Sequence, residues 1–299
     1  MPRYARLAAF ASLSLVLAGP LPAAEPVPIT EETVAKRIDL AGRQRMLTER
    51  MAKFFCYARS GVNILSNVDK LSAARTLFTK THFGFRDGDP NAALFAEESS
   101  AVLASWNRVD RSFTDLDAIY RRALGGELVT EDQALFVNEL TQLVRSKAND
   151  MVAELRAAYA GYLGDGGFGS ALLIDMYGRQ RMLSQKLSKE VCLVAGGNDL
   201  ERNLPELNET LNIFEASLEA FRKGAPFAGI PTPPTEEIAA QLEIAHGEWA
   251  PIRDTARKVA KGGAASFAEL SSFADGADRF LVEMNKAVQM LAALSKSES

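Results

Sequence analysis

The hydrophobic positions of this chain recur with the period of α-helices. In residues 38–56, one stripe of apolar side chains has spacings of seven, four and three, and consists of Leu40, Leu47, Met51 and Phe54. At 3.6 residues per turn these positions share one face of a helix and can enter a core. Strict alternation of apolar and polar residues, the pattern of β-strands, is nearly absent. The pattern therefore predicts an all-α protein.

Glycine and proline divide the first half of the chain into four predicted helices. The stops are Gly61, Asp87-Gly88-Asp89-Pro90 and Gly125-Gly126. Glycine ends helices because it adopts backbone conformations that helices exclude, and proline because it lacks an amide hydrogen. The third helix is predicted from about Asn91 to Leu124. The fourth begins at a capping box, Thr130-x-x-Gln133, and reaches about Tyr162.

The second half repeats this punctuation. Its stops are Gly196-Gly197, Gly224-Ala225-Pro226 and Gly262-Gly263. A capping box at Ser266-x-x-Glu269 begins its last helix, and Pro251 is expected to kink its third helix. We therefore predict an all-α fold of two tandem up-and-down four-helix bundles.

The two halves are copies of one unit. Residues 38–47 and residues 174–183 agree at eight of ten positions, at an offset of 136. The same offset relates Cys56 to Cys192 and Asn149 to Asn285. Repetition of this kind indicates an internal duplication. We expect domain boundaries at about 25–162 for the first copy and 163–299 for the second.

The first 24 residues have the layout of a secretory signal peptide. Arg3 and Arg6 precede a short apolar run, which ends in small residues. Cleavage is expected after Ala23 or Ala24, and the protein is then periplasmic. The alternative is an uncleaved N-terminal segment that anchors the protein to the membrane.

The net charge of the chain limits the kinds of molecule that it can be expected to bind. Without residues 1–24 the chain has 32 Lys and Arg against 38 Asp and Glu, a net charge of −6. A negative chain of this kind gives no reason to expect binding to nucleic acid. Any anion site must therefore come from a local concentration of arginine.

Such a concentration exists on the first helix of each copy. Gly42 and Arg45 share a helix face with Cys56, and Gly178 and Arg181 share the equivalent face with Cys192. Small residues on this face allow close contact between helices, and arginine adds directional hydrogen-bond donors. The alternative for each arginine is ordinary solvation or a salt bridge.

The segment Ile-Asp-Leu-Ala-Gly-Arg-Gln-Arg-Met-Leu-Thr-Glu-Arg-Met at 38–51, and its second copy, resembles the signature helix of the NarX/PilJ-type sensor domain. This module is the periplasmic N-terminal part of nitrate sensor kinases and of type IV pilus chemotaxis transducers. In the nitrate sensors, two signature helices from two subunits hold one nitrate. The resemblance implies that Arg45 and Arg181 bind the anion, with Gly42 and Gly178 allowing close approach. Arg43-Gln44 and Arg179-Gln180 are more similar to the pilus-transducer branch, whose ligand need not be nitrate.

The duplication suggests how one chain replaces two subunits. We expect the copies to pack with pseudo-twofold symmetry, so that Arg45 and Arg181 converge on one small oxyanion such as nitrate or nitrite. Two charge-assisted contacts of about 1.5–3 kcal/mol each correspond to an affinity between millimolar and tens of micromolar. The bound state would be passed to a membrane-bound signalling partner.

The alternative is a structural or adaptor module. In that case the contact face binds a membrane receptor or a type IV pilus component, and the arginines form salt bridges. Pairing of Arg45 and Arg181 with carboxylates favours this interpretation, and a shared cavity without acidic groups favours the anion site.

The remaining reactive residues do not indicate catalysis. Cys56 and Cys192 occupy equivalent positions in an exported protein, so a disulfide and two buried thiols both remain open. His82 and His246 are not equivalent under the repeat and belong to no metal-spaced cluster. We expect no metal, no cofactor and no enzymatic activity.

Overall fold

A computed structural model describes residues 26–163 and 165–297, with side chains for 26–163 and 172–294. The predicted signal peptide, residues 1–24, lies outside these residues. The first copy contains the helices α1 (Glu31–Arg59), α2 (Ile64–Asp87), α3 (Ser100–Leu124) and α4 (Glu131–Ala158). The second copy contains α5 (Asp165–Ala195), α6 (Leu200–Lys223), α7 (Glu236–Trp249), α8 (Arg253–Ala260) and α9 (Phe267–Ser297). Strands are absent from this described part of the chain, as expected for an all-α duplicated bundle.

The predicted capping boxes are present at the start of α4 and α9. The Gln133 amide donates to the Thr130 hydroxyl at 3.3 Å, and the Thr130 amide donates to the Gln133 side chain at 3.1 Å. In the second copy, the Glu269 amide donates to the Ser266 hydroxyl at 3.3 Å, and the Ser266 amide donates back at 2.7 Å. These reciprocal bonds satisfy amide groups that the first turn of a helix leaves without partners.

The third helix of the first copy begins nine residues later than predicted, at Ser100. Residues 88–99 form a loop in which Asp89 and Leu94 exchange backbone hydrogen bonds of 2.9 and 3.0 Å. Ala93 has a φ of +52°, which an α-helix cannot contain. Ser99 then caps α3 by accepting from the Val102 amide. The prediction was wrong because an apolar pattern does not reveal a compact turn that buries Leu94.

Pro251 does more than kink its helix. The predicted third helix of the second copy is divided into α7, which ends at Trp249, and α8, which begins at Arg253. Proline removes one backbone hydrogen bond and its ring crowds the preceding turn, so the chain turns at this point.

The first helices of the two copies lie at the centre of the molecule. Helix α1 packs on α2 and α4 of its own copy and on α5 of the other, and α5 packs on α6 and α9. Each copy has its own apolar core, and the predicted stripe of α1 belongs to the first. The pairing of α1 with α5 therefore joins two bundles through the helices that carry the repeated arginines.

A disulfide joins these central helices at one end of their contact. It links Cys56 of α1 to Cys192 of α5, whose Cα atoms are 6.2 Å apart. The two residues are equivalent under the repeat, so the bond lies where the pseudo-twofold axis brings equivalent positions together.

Within the described residues, no helix combines the length and apolar character that crossing a bilayer requires.

Candidate functional site

The repeated glycines of α1 and α5 make room for arginine. A Cβ added to Gly42 would lie 3.1 Å from Nη2 of Arg45, and a Cβ on Gly178 would lie 3.1 Å from Nη2 of Arg181. The guanidinium groups thus fold back over the preceding turn of their own helix. The glycines seat these side chains, and within 4 Å of either added Cβ there is no backbone of the opposite helix.

Arg45 and Arg181 are each held by two residues, one from each copy. Arg45 donates to Asn149 at 2.9 Å and forms a short ion pair with Asp175. Arg181 donates to Asn285 at 2.9 Å and to Asp39 at 2.6 Å. Each guanidinium therefore binds an asparagine of its own copy and an aspartate of the other. The expected pseudo-symmetry is present, but the two arginines are neutralised separately and do not face a common acid-free centre.

Burial affects the guanidinium group of Arg45. It lowers the pKa of Arg45 from its ordinary value, and the neighbouring carboxylate of Asp175 offsets part of that change. Arg45 also donates from Nε to the carbonyl of Gly42 at 3.4 Å. Three hydrogen bonds occupy three of the five N–H donors of a guanidinium, so its two Nη atoms each retain one donor.

Further along the contact, α1 and α5 share buried charges. The Glu49 carboxylate lies 2.7 Å from Nε of Arg145 and 2.8 Å from Nζ of Lys189. Burial alone would raise the pKa of Glu49, but these cations hold it below its ordinary value. Lys53, the counterpart of Lys189, donates to Asp278 at 2.8 Å. Burial lowers the pKa of Lys53 to about 8, against the opposing effect of Asp278.

Another buried carboxyl group, that of Glu190, lies on α5. Glu190 is fully buried and accepts a hydrogen bond from Lys186, which also donates to Thr210. Burial raises the pKa of Glu190 to about 7, although Lys186 and Lys189 act in the opposite direction. The group therefore titrates near neutral pH within the folded protein.

Replacing Glu190 by glutamine is expected to change how stability depends on pH. The folded state holds a proton on Glu190 up to about pH 7, whereas the unfolded chain releases it near the ordinary value of 4.5. The stability that this group contributes is thus complete below pH 4.5 and is lost as the pH rises to about 7. Because E190Q lacks this titration, its free energy of unfolding relative to the wild type should rise over that interval, by up to about 3 kcal/mol. Urea denaturation across this range measures the difference, and a difference independent of pH would contradict the assignment.

An open cavity of about 480 Å³ lies between the first copy and the second, beside the ion pair of Arg45 with Asp175. We call it the inter-copy cavity. Its basic and polar lining consists of Arg45, Arg145, Ser146, Asn149, Arg179, Gln180 and Ser217. Its apolar lining consists of Met176, Met182, Leu183, Ile213, Phe221 and Ile230. No aspartate or glutamate is among these described lining residues.

Arg179 is the exposed cation of this cavity. Arg45 is bound to Asp175, and Arg145 lies against Glu49, but Arg179 has no ion-pair partner within the described part of the chain. Its charge lies close enough to Arg45 to oppose protonation there. The cavity therefore contains positive charge that its own carboxylates do not balance.

The two equivalent places at the contact between the copies differ in their number of arginines. At the repeat offset of 136, Arg145 corresponds to Leu281 and Arg156 to Ala292. Arg156 adds a second cation to Asp175 at 3.3 Å. Among the described residues, the duplication therefore produces a pseudo-symmetric frame in which Arg145 and Arg156 lie on one side only.

Only some residues of this site could be identified from the sequence. Arg45, Arg181 and the asparagine pair Asn149 and Asn285 stood out because they recur in both copies. Arg179 lies in the repeated segment, but only the structure distinguishes it from its counterpart, Arg43. Arg145 has no counterpart and could not be found from the repeat. Among the described residues, no group of three or more His, Cys, Asp or Glu side chains is placed to hold a metal ion.

Comparison with known proteins identifies the repeated unit. The family model described as the type IV pili methyl-accepting chemotaxis transducer N-terminal domain, PilJ, matches residues 30–135 and 168–271. The two matches cover the first three helices of the first copy and the corresponding part of the second. No curated protein and no solved structure matches the chain.

Proposed function

Because the chain belongs to the PilJ family of chemotaxis-transducer N-terminal domains, we propose that it is a sensing module that binds one small oxyanion and reports its bound state to a membrane-associated signalling partner. Sensor domains of this family act in signalling and are not enzymes. The proposed ligand class is a planar oxyanion, such as nitrate, nitrite or a carboxylate. The proposed location is the periplasm, in keeping with the N-terminal pattern of the sequence.

The observation that carries the proposal is the unpaired charge of Arg179 in the inter-copy cavity. Arg45 lines the same cavity and retains one donor on each of its Nη atoms. Charge-assisted hydrogen bonds of this kind contribute about 1.5–3 kcal/mol each. Two such contacts favour affinities between millimolar and tens of micromolar.

This proposal moves the anion away from the midpoint between Arg45 and Arg181. An anion at that midpoint would have to displace Asp175 from Arg45 and Asp39 from Arg181. The displacement would leave Asp39 without its ion-pair partner and would separate Asp175 from the more buried of its two cations, which opposes binding. Arg45 is therefore proposed to contact the ligand from one side of the cavity, while Arg181 maintains the equivalent structural pair. Gly42 and Gly178 support the site indirectly, by leaving space for the guanidinium groups.

The carboxylate pairing that the adaptor alternative predicts for Arg45 and Arg181 is present, but the carboxylates, Asp175 and Asp39, belong to the same chain. The adaptor alternative requires the face of Arg45 and Arg181 to be free for a receptor or a pilus component. That face is covered, because α1 and α5 pack on each other and their arginines bind aspartates of the same chain. A signalling partner would instead contact the outer surface of the bundles.

Calorimetric titration of the purified protein with nitrate, nitrite and acetate tests the proposal, with chloride as the control. We expect saturable heat with at least one of the three oxyanions, at one site per chain, and no saturation with chloride. One site is expected because Arg145 lines the inter-copy cavity, whereas the equivalent place has Leu281. The absence of saturable heat with all three oxyanions would refute the proposed function.

A further inference from the structure

The inter-copy cavity is much larger than a nitrate ion needs. Its volume of about 480 Å³ falls within the range of about 300–1,000 Å³ that is usual for sites of organic ligands. An inorganic anion of four atoms would contact Arg179 and leave most of this space to water. The size of the cavity therefore points to a ligand with more atoms than its charged group.

The two sides of the cavity differ in chemistry. Helices α1 and α4 of the first copy contribute arginine, serine and asparagine, whereas α6 and the loop after it contribute mainly apolar side chains. Ile213 and Phe221 lie on α6, and Ile230 follows in the loop. Helix α5 supplies both kinds, with Arg179 beside Met176 and Leu183. This division fits a ligand that has a charged end and an apolar body.

The duplication provides an internal control for this interpretation. In the first copy, Leu40 and Leu47 are fully buried, and Leu281 from the other copy belongs to the same core. Their counterparts in the second copy, Met176 and Leu183, are only partly buried. The residue equivalent to Leu281 is Arg145, which lies against Glu49 instead.

The exchange of leucine for arginine thus coincides with the partial exposure of Met176 and Leu183 in the cavity. Where a leucine side chain fills the space between the copies, the apolar surface around it is covered. Where Arg145 takes the same position, its guanidinium lies against Glu49, and Met176 and Leu183 of α5 remain partly open to solvent. Apolar surface of this kind favours an apolar ligand group, because covering it removes hydrocarbon from water.

We propose that the ligand of the inter-copy cavity is an organic monocarboxylate whose apolar body has several carbon atoms. This inference rests on the proposed function, since it assigns the substrate class of the same site. The carboxylate binds Arg179 and the free donors of Arg45, and the hydrocarbon body lies against Leu183, Ile213 and Ile230.

A series of linear carboxylates tests this inference. Acetate, butyrate, hexanoate and octanoate are titrated calorimetrically into the wild-type protein, with nitrate and 1-hexanol as comparison ligands. We expect affinity to rise about two- to fourfold for each added methylene until the cavity is filled. Hexanol should bind at least tenfold more weakly than hexanoate, because it lacks the charge that Arg179 recognises.

The repeat supplies a matched pair of variants. Ile213 and its counterpart Leu77 are both exposed on their helices, so neither Ile213→Gln nor Leu77→Gln should prevent folding. I213Q is expected to remove most of the dependence on chain length, measured as the ratio of hexanoate affinity to acetate affinity. L77Q is expected to leave this ratio unchanged.

The outcomes separate the two proposals. If nitrate and acetate bind but longer carboxylates bind no better, the inference is overturned and the proposed function stands. Equal affinity for hexanol and hexanoate, or a loss of chain-length dependence in L77Q equal to that in I213Q, would also overturn the inference. If no anion of either set binds, both proposals are refuted together.

Discussion

Removing the disulfide between Cys56 and Cys192 is expected to lower the free energy of unfolding by about 2–5 kcal/mol. The two cysteines are 136 residues apart, so the bond closes a loop that spans nearly half of the chain. Such a link restricts the unfolded chain more strongly than it restricts the folded one, and the effect grows with the length of the loop. It also joins α1 to α5, so its loss falls on the contact between the two copies.

Urea denaturation of the wild type with and without reductant, and of the Cys56→Ser/Cys192→Ser double variant, measures this effect. The midpoint should fall to a similar value in the reduced wild type and in the double variant. The double variant itself should not respond to reductant, which controls for effects of the reductant on other parts of the chain. An oxidised wild type with the same midpoint as the double variant would contradict the expected stabilisation.

Replacing Glu49 by alanine is expected to destabilise the protein by about 3–5 kcal/mol. Glu49 is fully buried and its carboxylate lies beside Lys189, which is also buried, and beside Arg145. Removal of the carboxylate leaves the Lys189 ammonium inside the contact between α1 and α5 without its nearest counter-ion. A buried charge in that state is costly, because water no longer solvates it and no opposite charge replaces the water.

The exposed ion pair of Arg59 with Glu131 provides the matched control. Both of its side chains are substantially open to solvent, so Glu131→Ala should cost no more than about 1 kcal/mol. Chemical denaturation of E49A, E131A and the wild type at one pH compares the two sites. An effect of E49A as small as that of E131A would show that Lys189 finds water or another partner in solution.

Much of the fold could be predicted from the sequence because helices require apolar residues at periodic positions. The apolar stripe of α1, the stops at glycine and proline, and the capping boxes of α4 and α9 are local features. Each depends on residues that are close in the chain, and the repeat made each signal visible twice. The predicted start of α3 was wrong because it depends on a feature that is not local. The loop before α3 is held in place by the burial of Leu94 in the core.

The site was predicted less completely because its decisive contacts join distant residues. The repeat correctly indicated that Arg45 and Arg181 belong to the contact between the copies. It did not reveal that Asp175 and Asp39, 130 and 142 residues away along the chain, neutralise them. The inter-copy cavity was also invisible, because it is lined by residues of both copies that lie far apart in the sequence, and one of them, Arg145, has leucine as its counterpart. A repeat indicates what two halves share, whereas this site depends on where they differ.

The comparison of two equivalent arginines tests the central claim most directly. Arg179→Gln and Arg43→Gln remove the same side chain from the two copies, but only Arg179 lines the inter-copy cavity. In calorimetric titrations with the best-binding oxyanion, we expect R179Q to weaken binding about ten- to hundredfold, because one charge-assisted contact is lost. R43Q should bind within about twofold of the wild type. Equal losses in the two variants, or a loss confined to R43Q, would contradict the assignment of the site to the inter-copy cavity.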